Sequence, residues 1–246
     1  MNDPDFDPYL PPRAPVGLTK TPKGGGAEVP DGSPWVTIWT RPRGTIRGIV
    51  NSDPTTFVLP LAMLSGFGNG LTQLFKSQTV ELPVAGLLVG SIIGGALGGI
   101  GGIYLMGFLV RMTGGWLGGR ATAQEVRVAL AWSSIPIVAL LPIQLLTLAV
   151  YGADFFRADD PQNVGASKGP LLLVMAMAMI VLGFWSAFLN IKCVAEVHRF
   201  SAWKSLGTLL LVGVVFLGIV LLIVVIVVGL MAVMKVGGWG ARQGLK

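Results

Sequence analysis

Long runs of apolar residues, separated by short polar segments, fill most of the chain after residue 53. Each of the five runs holds about 20 residues or more, which is the length that an α-helix needs to cross a hydrocarbon core about 30 Å thick. The pattern therefore predicts an all-α integral membrane protein, a bundle of five transmembrane helices. The predicted spans cover residues 54–75, 82–110, 128–151, 170–191 and 207–234.

The first two predicted spans are irregular. Asp53-Pro54 is typical of a helix start, with Asp as the N-cap and proline in the first helical position. Pro60 and several glycines then interrupt the first span. The second span is longer than the membrane requires, so it must tilt, kink or emerge from the bilayer. A re-entrant break near Gly98–Gly102 is the alternative to one continuous helix.

Two different segments precede the first span. Residues 1–33 are rich in proline and glycine, a composition that predicts a disordered cytoplasmic tail. Residues 34–53 combine aromatic rings with cations and predict a short amphipathic helix in the membrane interface. Residues 54–236 form the membrane domain, and residues 237–246 a short C-terminal tail. Candidates for headgroup or cytoplasmic contacts in the interfacial segment are Trp35, Trp39, Arg41, Arg43 and Arg47.

Composition and charge support a membrane protein and add an orientation. Only 12% of the 246 residues are charged, 52% are apolar, and the mean hydropathy is +0.71, whereas about 25% of the residues of a soluble domain are charged. The net charge of +6 comes from cations outside the apolar runs, which indicates the positive-inside pattern and not nucleic-acid binding. Nine cations gather on one side of the predicted topology: Arg41, Arg43, Arg47, Arg111, Arg120, Arg127, Lys192, Arg199 and Lys204.

Only three cations lie on the alternate connections, so we expect the N-terminus in the cytoplasm. Five spans then place the C-terminus on the opposite side of a cell (inner) membrane. The C-terminal tail is an exception to the positive-inside rule, because it contains Lys235, Arg242 and Lys246.

Residues 86–102, GLLVGSIIGGALGGIGG, are nearly half glycine. A phosphate-binding loop needs a lysine and a hydroxyl after the glycines, and a dinucleotide-binding turn needs an acid about 20 residues later. Both are missing, so we reject nucleotide binding. Glycine at every fourth position forms a groove along one helix face, which predicts close packing against another span. Self-association and a lipid- or substrate-lined path are the alternatives. The row is Gly86, Gly90, Gly94, Gly98 and Gly102.

The five runs lack the residues that catalysis requires. No ionisable side chain lies deep in any of them, which argues against a pump, a proton-coupled transporter or an intramembrane protease. The single histidine, His198, is expected to be solvated or to face headgroups. We expect no catalytic residue, no metal site and no cofactor. Candidates for polar contacts between helices are Asn69, Ser91, Ser133 and Ser134.

Three segments resemble the Yip1-domain family of membrane proteins. They are WTRPRGTIRGIVNSDP (39–54), GGWLGGRATAQEVRVALAWSSIPIV (114–138) and VAEVHRFSAWKSLGTLLL (194–211). The resemblance extends over about residues 35–236 and implies five spans with a cytoplasmic N-terminus. It also adds Arg120, in the glycine-rich loop, to the candidate cytoplasmic contacts.

Eukaryotic members of that family reside in endoplasmic reticulum and Golgi membranes and are linked to Rab-type GTPases. They carry an Asp-Leu-Tyr/Trp-Gly-Pro-like motif before the spans, and residues 1–53 contain no such run. The chain is therefore more similar to the family's prokaryotic members.

These features favour a non-enzymatic protein that organises the membrane or binds a partner. The expected partners are the lipid bilayer and a protein on the cytoplasmic side, with a second copy of the chain as a further candidate and no nucleic acid. The alternative is a channel, transporter or permease subunit for a neutral or apolar solute, because interrupted helices often line binding sites. A lipid-modifying enzyme is the weakest hypothesis, since no acid–base constellation faces the cytoplasmic loops.

Overall fold

The computed structural model describes residues 28–55, 57–76, 84–152 and 169–243. Within these ranges the chain forms eight α-helices and no strand, as the long apolar runs predict. The helices are α1 (Pro34–Thr40), α2 (Pro42–Ser52), α3 (Val58–Lys76), α4 (Val84–Trp116), α5 (Ala123–Ser133), α6 (Ile135–Tyr151), α7 (Gly169–His198) and α8 (Ala202–Gln243). Most of the predicted N-terminal tail, residues 1–27, lies outside the described residues.

Four stretches of the described chain are long and apolar enough to cross a membrane. They are Leu88–Trp116, Ala123–Tyr151, Gly169–His198 and Ala202–Gly229, and they correspond to the predicted second to fifth spans. Helix α3, the predicted first span, is not among them. Its 19 residues extend about 28 Å at the rise of an α-helix.

Helix α4 is continuous from Val84 to Trp116, through all of its glycines. The re-entrant break near Gly98–Gly102 is therefore wrong. Glycine weakens a helix interior by only about 0.5–1 kcal/mol relative to alanine. In an apolar environment every broken backbone hydrogen bond costs more than that, so the helix persists. Helix α8 is also longer than predicted, because it continues past residue 234 to Gln243.

The third span consists of two helices and begins earlier than predicted. Thr122 caps α5: its hydroxyl accepts the Glu125 N–H at 3.2 Å, and the Glu125 carboxylate accepts the Thr122 N–H at 2.6 Å. This capping box starts the helix at Ala123 instead of residue 128. The helix ends at Ser133 because Pro136, in the first turn of α6, has no N–H to donate to the preceding turn.

The interfacial segment forms two helices where one was predicted. The break falls at Arg41 (φ −128°, ψ 57°), directly before Pro42, since a residue that precedes proline disfavours the helical conformation. The apolar side of this helix pair is buried within the protein. Ile38 and Ile46 are fully buried and Ile49 is 5% exposed, because α2 packs against α5 and α7.

The start of α3 also differs from the prediction. Asp53 does not cap α3: it follows the last residue of α2, and its Oδ1 accepts the Thr55 N–H at 2.9 Å and the Thr55 hydroxyl at 2.6 Å. This local turn competes with helix formation. Phe57 adopts a positive φ of 57°, and the helix begins only at Val58.

The helices converge where α4 and α7 end and α3, α5 and α8 begin, and we call this the basic end of the bundle. Two hydrogen bonds join the connections there: the Arg120 N–H donates to the His198 carbonyl at 3.4 Å, and Lys204 Nζ to the Leu117 carbonyl at 3.5 Å. The main buried core lies at this end, formed by Val126 and Trp132 of α5 with neighbouring helices. The outer parts of α7 and α8 expose apolar side chains, as lipid-facing surfaces do.

Candidate functional site

The basic end brings together the cations that the sequence predicted to share one side of the membrane. Four helices and their connections supply them: α2, the α4–α5 turn, the end of α7 and the start of α8. The three arginines of the first segment play different roles, however, and only part of the cationic set faces outward.

Arg47 is an internal ion-pair partner. Its Nη2 donates to Oε1 of Glu196, which lies on α7 149 residues further along the chain. The Arg47 side chain is 29% exposed and that of Glu196 only 8%. A charge that is paired inside the protein is not free to hold a headgroup or a partner. Arg47 thus connects α2 to α7, a contact that no sequence pattern indicates because the two residues are far apart in the chain.

Trp35 and Trp39, predicted at the headgroup level, contact the protein itself. The Trp35 ring lies 5.1 Å from that of Trp132 and 5.4 Å from that of Phe57, measured between centroids. Trp35 stays 40% exposed, whereas Trp132 is almost completely buried. Trp39 packs partly buried against the main core. Such ring pairs contribute about 0.5–1.5 kcal/mol beyond simple burial, so these tryptophans attach α1 to the bundle.

Arg41 and Arg43 line a cavity of about 500 Å³ between the α1–α2 junction and α7. Lys192 of α7 supplies a third cation to its wall, and Glu28 supplies one carboxylate. Lys192 Nζ lies 5.3 Å from the centre of the Phe188 ring, in a cation–π arrangement. We call this cavity the cationic pocket. Sequence reasoning found its two arginines but missed Lys192 as their neighbour.

Arg120 is exposed in the turn between α4 and α5. Its backbone N–H holds the turn against the end of α7, at the His198 carbonyl, so its side chain is presented from a fixed position. Arg111 and Arg199 are exposed close by. Lys204, at the start of α8, is exposed as well, and these four cations form an outward-facing cationic surface at the basic end.

His198 is buried, contrary to the expectation of a solvated or headgroup-facing residue. It is 1% exposed and stacks on Phe200 with ring centroids 5.0 Å apart. Gly114 and Gly119 lie so close to the imidazole that a Cβ on either residue would overlap it. The glycine-rich GGWLGG turn therefore serves as a cradle for this ring. Neither ring nitrogen has a hydrogen-bond partner among the described residues.

The close contact between α3 and α4 involves glycines other than the predicted row. A Cβ on Gly95 would lie 2.8 Å from both the Gly66 carbonyl oxygen and the Phe67 Cα, and one on Gly99 would overlap the Ala62 carbonyl. The contacts run in opposite directions along the two helices, so α3 and α4 are antiparallel. A Cβ added at four members of the predicted row would meet no described residue within 4 Å: Gly90, Gly94, Gly98 and Gly102. Within the described part of the chain these four glycines are therefore not the ones that pack closely against another span, which corrects that interpretation.

The predicted row instead lines a groove of about 960 Å³ beside the α3–α4 contact. The helix face next to the packed one holds these glycines, because successive residues on a helix differ by about 100° in direction. We call this cavity the glycine groove. Its neutral polar lining comes from α3, α4 and α7: Ser65, Asn69, Gln73, Ser91 and Asn190. Its glycine lining includes Gly86, Gly90, Gly94, Gly98 and Gly102.

The polar contacts between helices use residues that the sequence did not single out. Gln144 of α6 is fully buried, and its Nε2 donates to the Thr72 hydroxyl at 2.8 Å and to the Gly68 carbonyl at 3.3 Å on α3. The Ser186 hydroxyl of α7 donates to the Ser133 carbonyl at 3.0 Å. The predicted Ser133 and Ser134 hydroxyls donate within their own stretch of chain. Asn69 and Ser91 line the glycine groove.

Among the described residues, no three His, Cys, Asp or Glu side chains come together as a metal site would require. Cys193 is fully buried in α7. The described residues form a helical bundle with apolar outer surfaces, a cationic end, the cationic pocket and the glycine groove. Such a structure defines a multi-pass membrane protein.

The Yip1 domain matches residues 36–225, and the chain belongs to this family. No curated protein and no solved structure matches the chain.

Proposed function

We propose that this protein is a non-enzymatic, five-span membrane protein that organises the membrane or binds a protein partner through its basic end. The observation that carries the proposal is the structure of that end. The outward-facing cations lie on or next to turns whose positions are fixed by hydrogen bonds and by the buried core beside them. A rigid cationic surface favours binding over catalysis, because it orders charges for a partner without placing a nucleophile or an acid–base pair beside them.

The five-span topology is supported by helix direction. Helix α3 runs antiparallel to α4, begins at the basic end, and is long enough to reach about 28 Å across the bilayer. Gln144 of α6 donates hydrogen bonds to the Thr72 hydroxyl and to the Gly68 carbonyl, so part of the polar surface that lowers the hydropathy of α3 is satisfied within the bundle. With α3 as the first span, the N-terminus and the basic end face the cytoplasm by the positive-inside rule. The membrane is then the cell (inner) membrane, with the C-terminus on its other side.

Site-specific photo-crosslinking in native membranes tests the binding role. A photoreactive residue at Arg120 or Arg199, both exposed at the basic end, is expected to give a reproducible adduct with the same protein. The matched control is Val174, which is 55% exposed on the outer part of α7 and should crosslink to lipid only. Equal yields at all three positions, or substrate turnover by the purified protein in liposomes, would refute the proposal.

A second candidate function is a path for a neutral or apolar solute, and the glycine groove is the observation that favours it. The groove is large enough for a small molecule, and its polar lining is uncharged. The interruption of the first span no longer supports this function, because α3 is continuous.

Cysteine accessibility separates the two functions. Cys193 is buried and will react poorly, so single cysteines at Asn69 and Gly98 can be followed in the otherwise unaltered chain. A water-filled path predicts that a membrane-impermeant thiol reagent labels one or both positions in vesicles. A groove filled by lipid or by another helix predicts protection of both. Protection, together with no solute flux in proteoliposomes, would exclude the path.

A further inference from the structure

The cationic pocket contains an unpartnered donor. Nε of Arg43 is buried and has no hydrogen-bond partner among the described residues, although the rest of the side chain is partly exposed. A buried donor without an acceptor costs about 1–3 kcal/mol, and more when the group is charged. Native proteins rarely keep such a group unsatisfied unless an ion, a ligand or water completes the site. Arg43, a residue of the pocket wall, therefore has a donor that remains to be satisfied.

The charges around Arg43 specify the acceptor's sign. Arg41 and Lys192 line the same cavity, so its wall holds three cationic residues and one acidic residue, Glu28. Lys192 is held on the wall by the Phe188 ring. Like charges this close repel one another unless an anion lies among them. The pocket is thus built for a ligand with negative charge.

The start of α2 adds backbone donors. This helix has 11 residues, begins at Pro42, and its N-cap residue Arg41 makes no side-chain capping hydrogen bond. The first N–H groups of a helix lack partners inside the helix and attract anions. Pro42 and Gly44 belong to the pocket wall, which brings the helix N-terminus to the same cavity as the three cations. Arginine suits a phosphate in particular, since its planar fork can donate two parallel hydrogen bonds.

The position of the pocket on α7 makes a lipid headgroup one source of the phosphate. Phe184 and Trp185, within the apolar part of α7, are exposed, and Lys192 lies two turns further towards the basic end. Exposed aromatic residues followed by a cation mark the boundary between hydrocarbon and headgroups. A basic pocket between helices at this depth is a common type of site for lipid headgroups.

We propose that the cationic pocket is a specific phosphate-binding site, formed by Arg43, Lys192 and Arg41 at the N-terminus of α2. The phosphate belongs to an anionic lipid headgroup or to a small soluble phosphate ester, which present the same chemistry. The site is independent of the proposed function, because it involves none of the outward-facing residues Arg111, Arg120, Arg199 and Lys204. It differs from general attraction to acidic lipids in that one residue, Arg43, whose Nε is buried, determines the affinity.

The test uses the full-length protein in nanodiscs of phosphatidylcholine, with dioctanoyl phosphatidic acid as the lipid probe and glycerol 3-phosphate as the soluble probe. Dioctanoyl phosphatidylcholine controls for the acyl chains. We expect saturable binding of at least one phosphate probe, a loss of affinity of about tenfold or more in Arg43→Gln, and a smaller loss in Lys192→Gln. Arg111→Gln, which removes an exposed cation outside the pocket, should change affinity less than twofold.

The two probes separate the sources, and their outcomes are distinct. Binding of phosphatidic acid alone assigns a lipid, whereas equal competition by glycerol 3-phosphate assigns a soluble ester; either supports the site. Equal losses in Arg43→Gln and Arg111→Gln would mean unspecific surface charge and would overturn it, as would the absence of saturable binding. If Arg43→Gln does not fold, as judged by size-exclusion chromatography, the comparison of Lys192→Gln with Arg111→Gln decides in the same way.

Discussion

The Arg47 guanidinium on α2 pairs with the Glu196 carboxylate near the end of α7, and this ion pair joins the segment before the membrane domain to the helix that contains the fourth predicted span. Glu196 is the more deeply buried partner, with 8% of its side chain exposed against 29% for Arg47. The pair therefore holds α2 against α7 inside the protein. Residues 34–53, which resemble a membrane-surface anchor by sequence, are thus part of the packed bundle.

Removal of Arg47 should destabilise the protein more than removal of its charge partner. Arg47→Ala leaves the buried Glu196 carboxylate without compensation, which costs roughly 3–5 kcal/mol for a fully buried pair and less here because Arg47 is partly exposed. Glu196→Gln leaves an arginine that water can reach, so its cost should be smaller. Thermal unfolding in mild detergent measures both.

The double variant Arg47→Ala/Glu196→Gln should recover much of the stability lost in Arg47→Ala, since it leaves no buried charge. Arg111→Ala is the matched control for the loss of a cation at the basic end, with an expected change within about 0.5 kcal/mol. If Arg47→Ala were as stable as Arg111→Ala, the ion pair would have no structural role.

Alanine at neighbouring glycines of α4 should have opposite effects. Gly99→Ala places a methyl group against the Ala62 carbonyl and Gly95→Ala places one against Gly66, so both should weaken the α3–α4 contact by about 1–3 kcal/mol. Gly94→Ala and Gly98→Ala meet open space and should be neutral or stabilising by up to about 1 kcal/mol, because alanine is the better helix former. Thermal unfolding and protease resistance report the difference. Equal costs at Gly98 and Gly99 would show that the predicted row is packed after all.

These glycines show what a single sequence can and cannot predict. The sequence shows that glycine recurs at every fourth position, and it also predicts the helix on which these glycines lie. Residues 86–102 contain a second row, with Gly95 and Gly99, next to the predicted one. The rotation of a helix about its axis depends on the partner surface, here Ala62 and Gly66 of α3, and a period carries no information on that rotation. The helices were therefore predictable, but the packed face was not.

The same holds for the candidate site: the types of its residues could be predicted from the sequence, but their contacts could not. The cations and tryptophans of residues 34–53 stood out by type, and their gathering on one side followed from the alternation of loops. Their individual roles depend on residues more than 100 positions away, such as Glu196 for Arg47 and Lys192 for Arg43. His198 was predicted outside the core because histidine is polar, whereas two distant glycines leave room for its ring. Local rules also failed at Asp53, where a side-chain turn to Thr55 competes with the predicted helix cap.

The hydrogen bond between Gln144 and Thr72 should give a measurable coupling between α6 and α3. A double-mutant cycle of Gln144→Ala and Thr72→Val in detergent is expected to yield a coupling free energy of about 0.6 kcal/mol and at most about 1.7 kcal/mol, the average and the maximum that such cycles give for hydrogen bonds between membrane helices. Thr113→Val is a suitable control, because the Thr113 hydroxyl donates to Leu109 within its own helix; its coupling with Gln144→Ala should be near zero. Similar coupling for both threonines would contradict the assigned contact.

The cradle around His198 makes a prediction at two adjacent residues. Gly114→Ala places a methyl group where the imidazole lies, whereas Gly115→Ala meets nothing within 4 Å. The first change should destabilise the basic end, since the ring is wedged between α4 and Phe200 and cannot move away freely. The second should be neutral or slightly stabilising. Size-exclusion chromatography and thermal unfolding in detergent compare the two variants with the parent protein.

A compensating change tests whether the clash with the ring is the cause. His198→Ala removes the imidazole, so the cost of Gly114→Ala should be smaller in the His198→Ala background than in the parent chain, although the cavity left by the ring destabilises that background by itself. Residues in direct contact commonly show coupling of about 0.5–3 kcal/mol, and residues without contact do not. Gly115→Ala should show the same small effect in both backgrounds. Additive costs for Gly114→Ala and His198→Ala would mean that the glycine serves the turn's backbone and not the histidine.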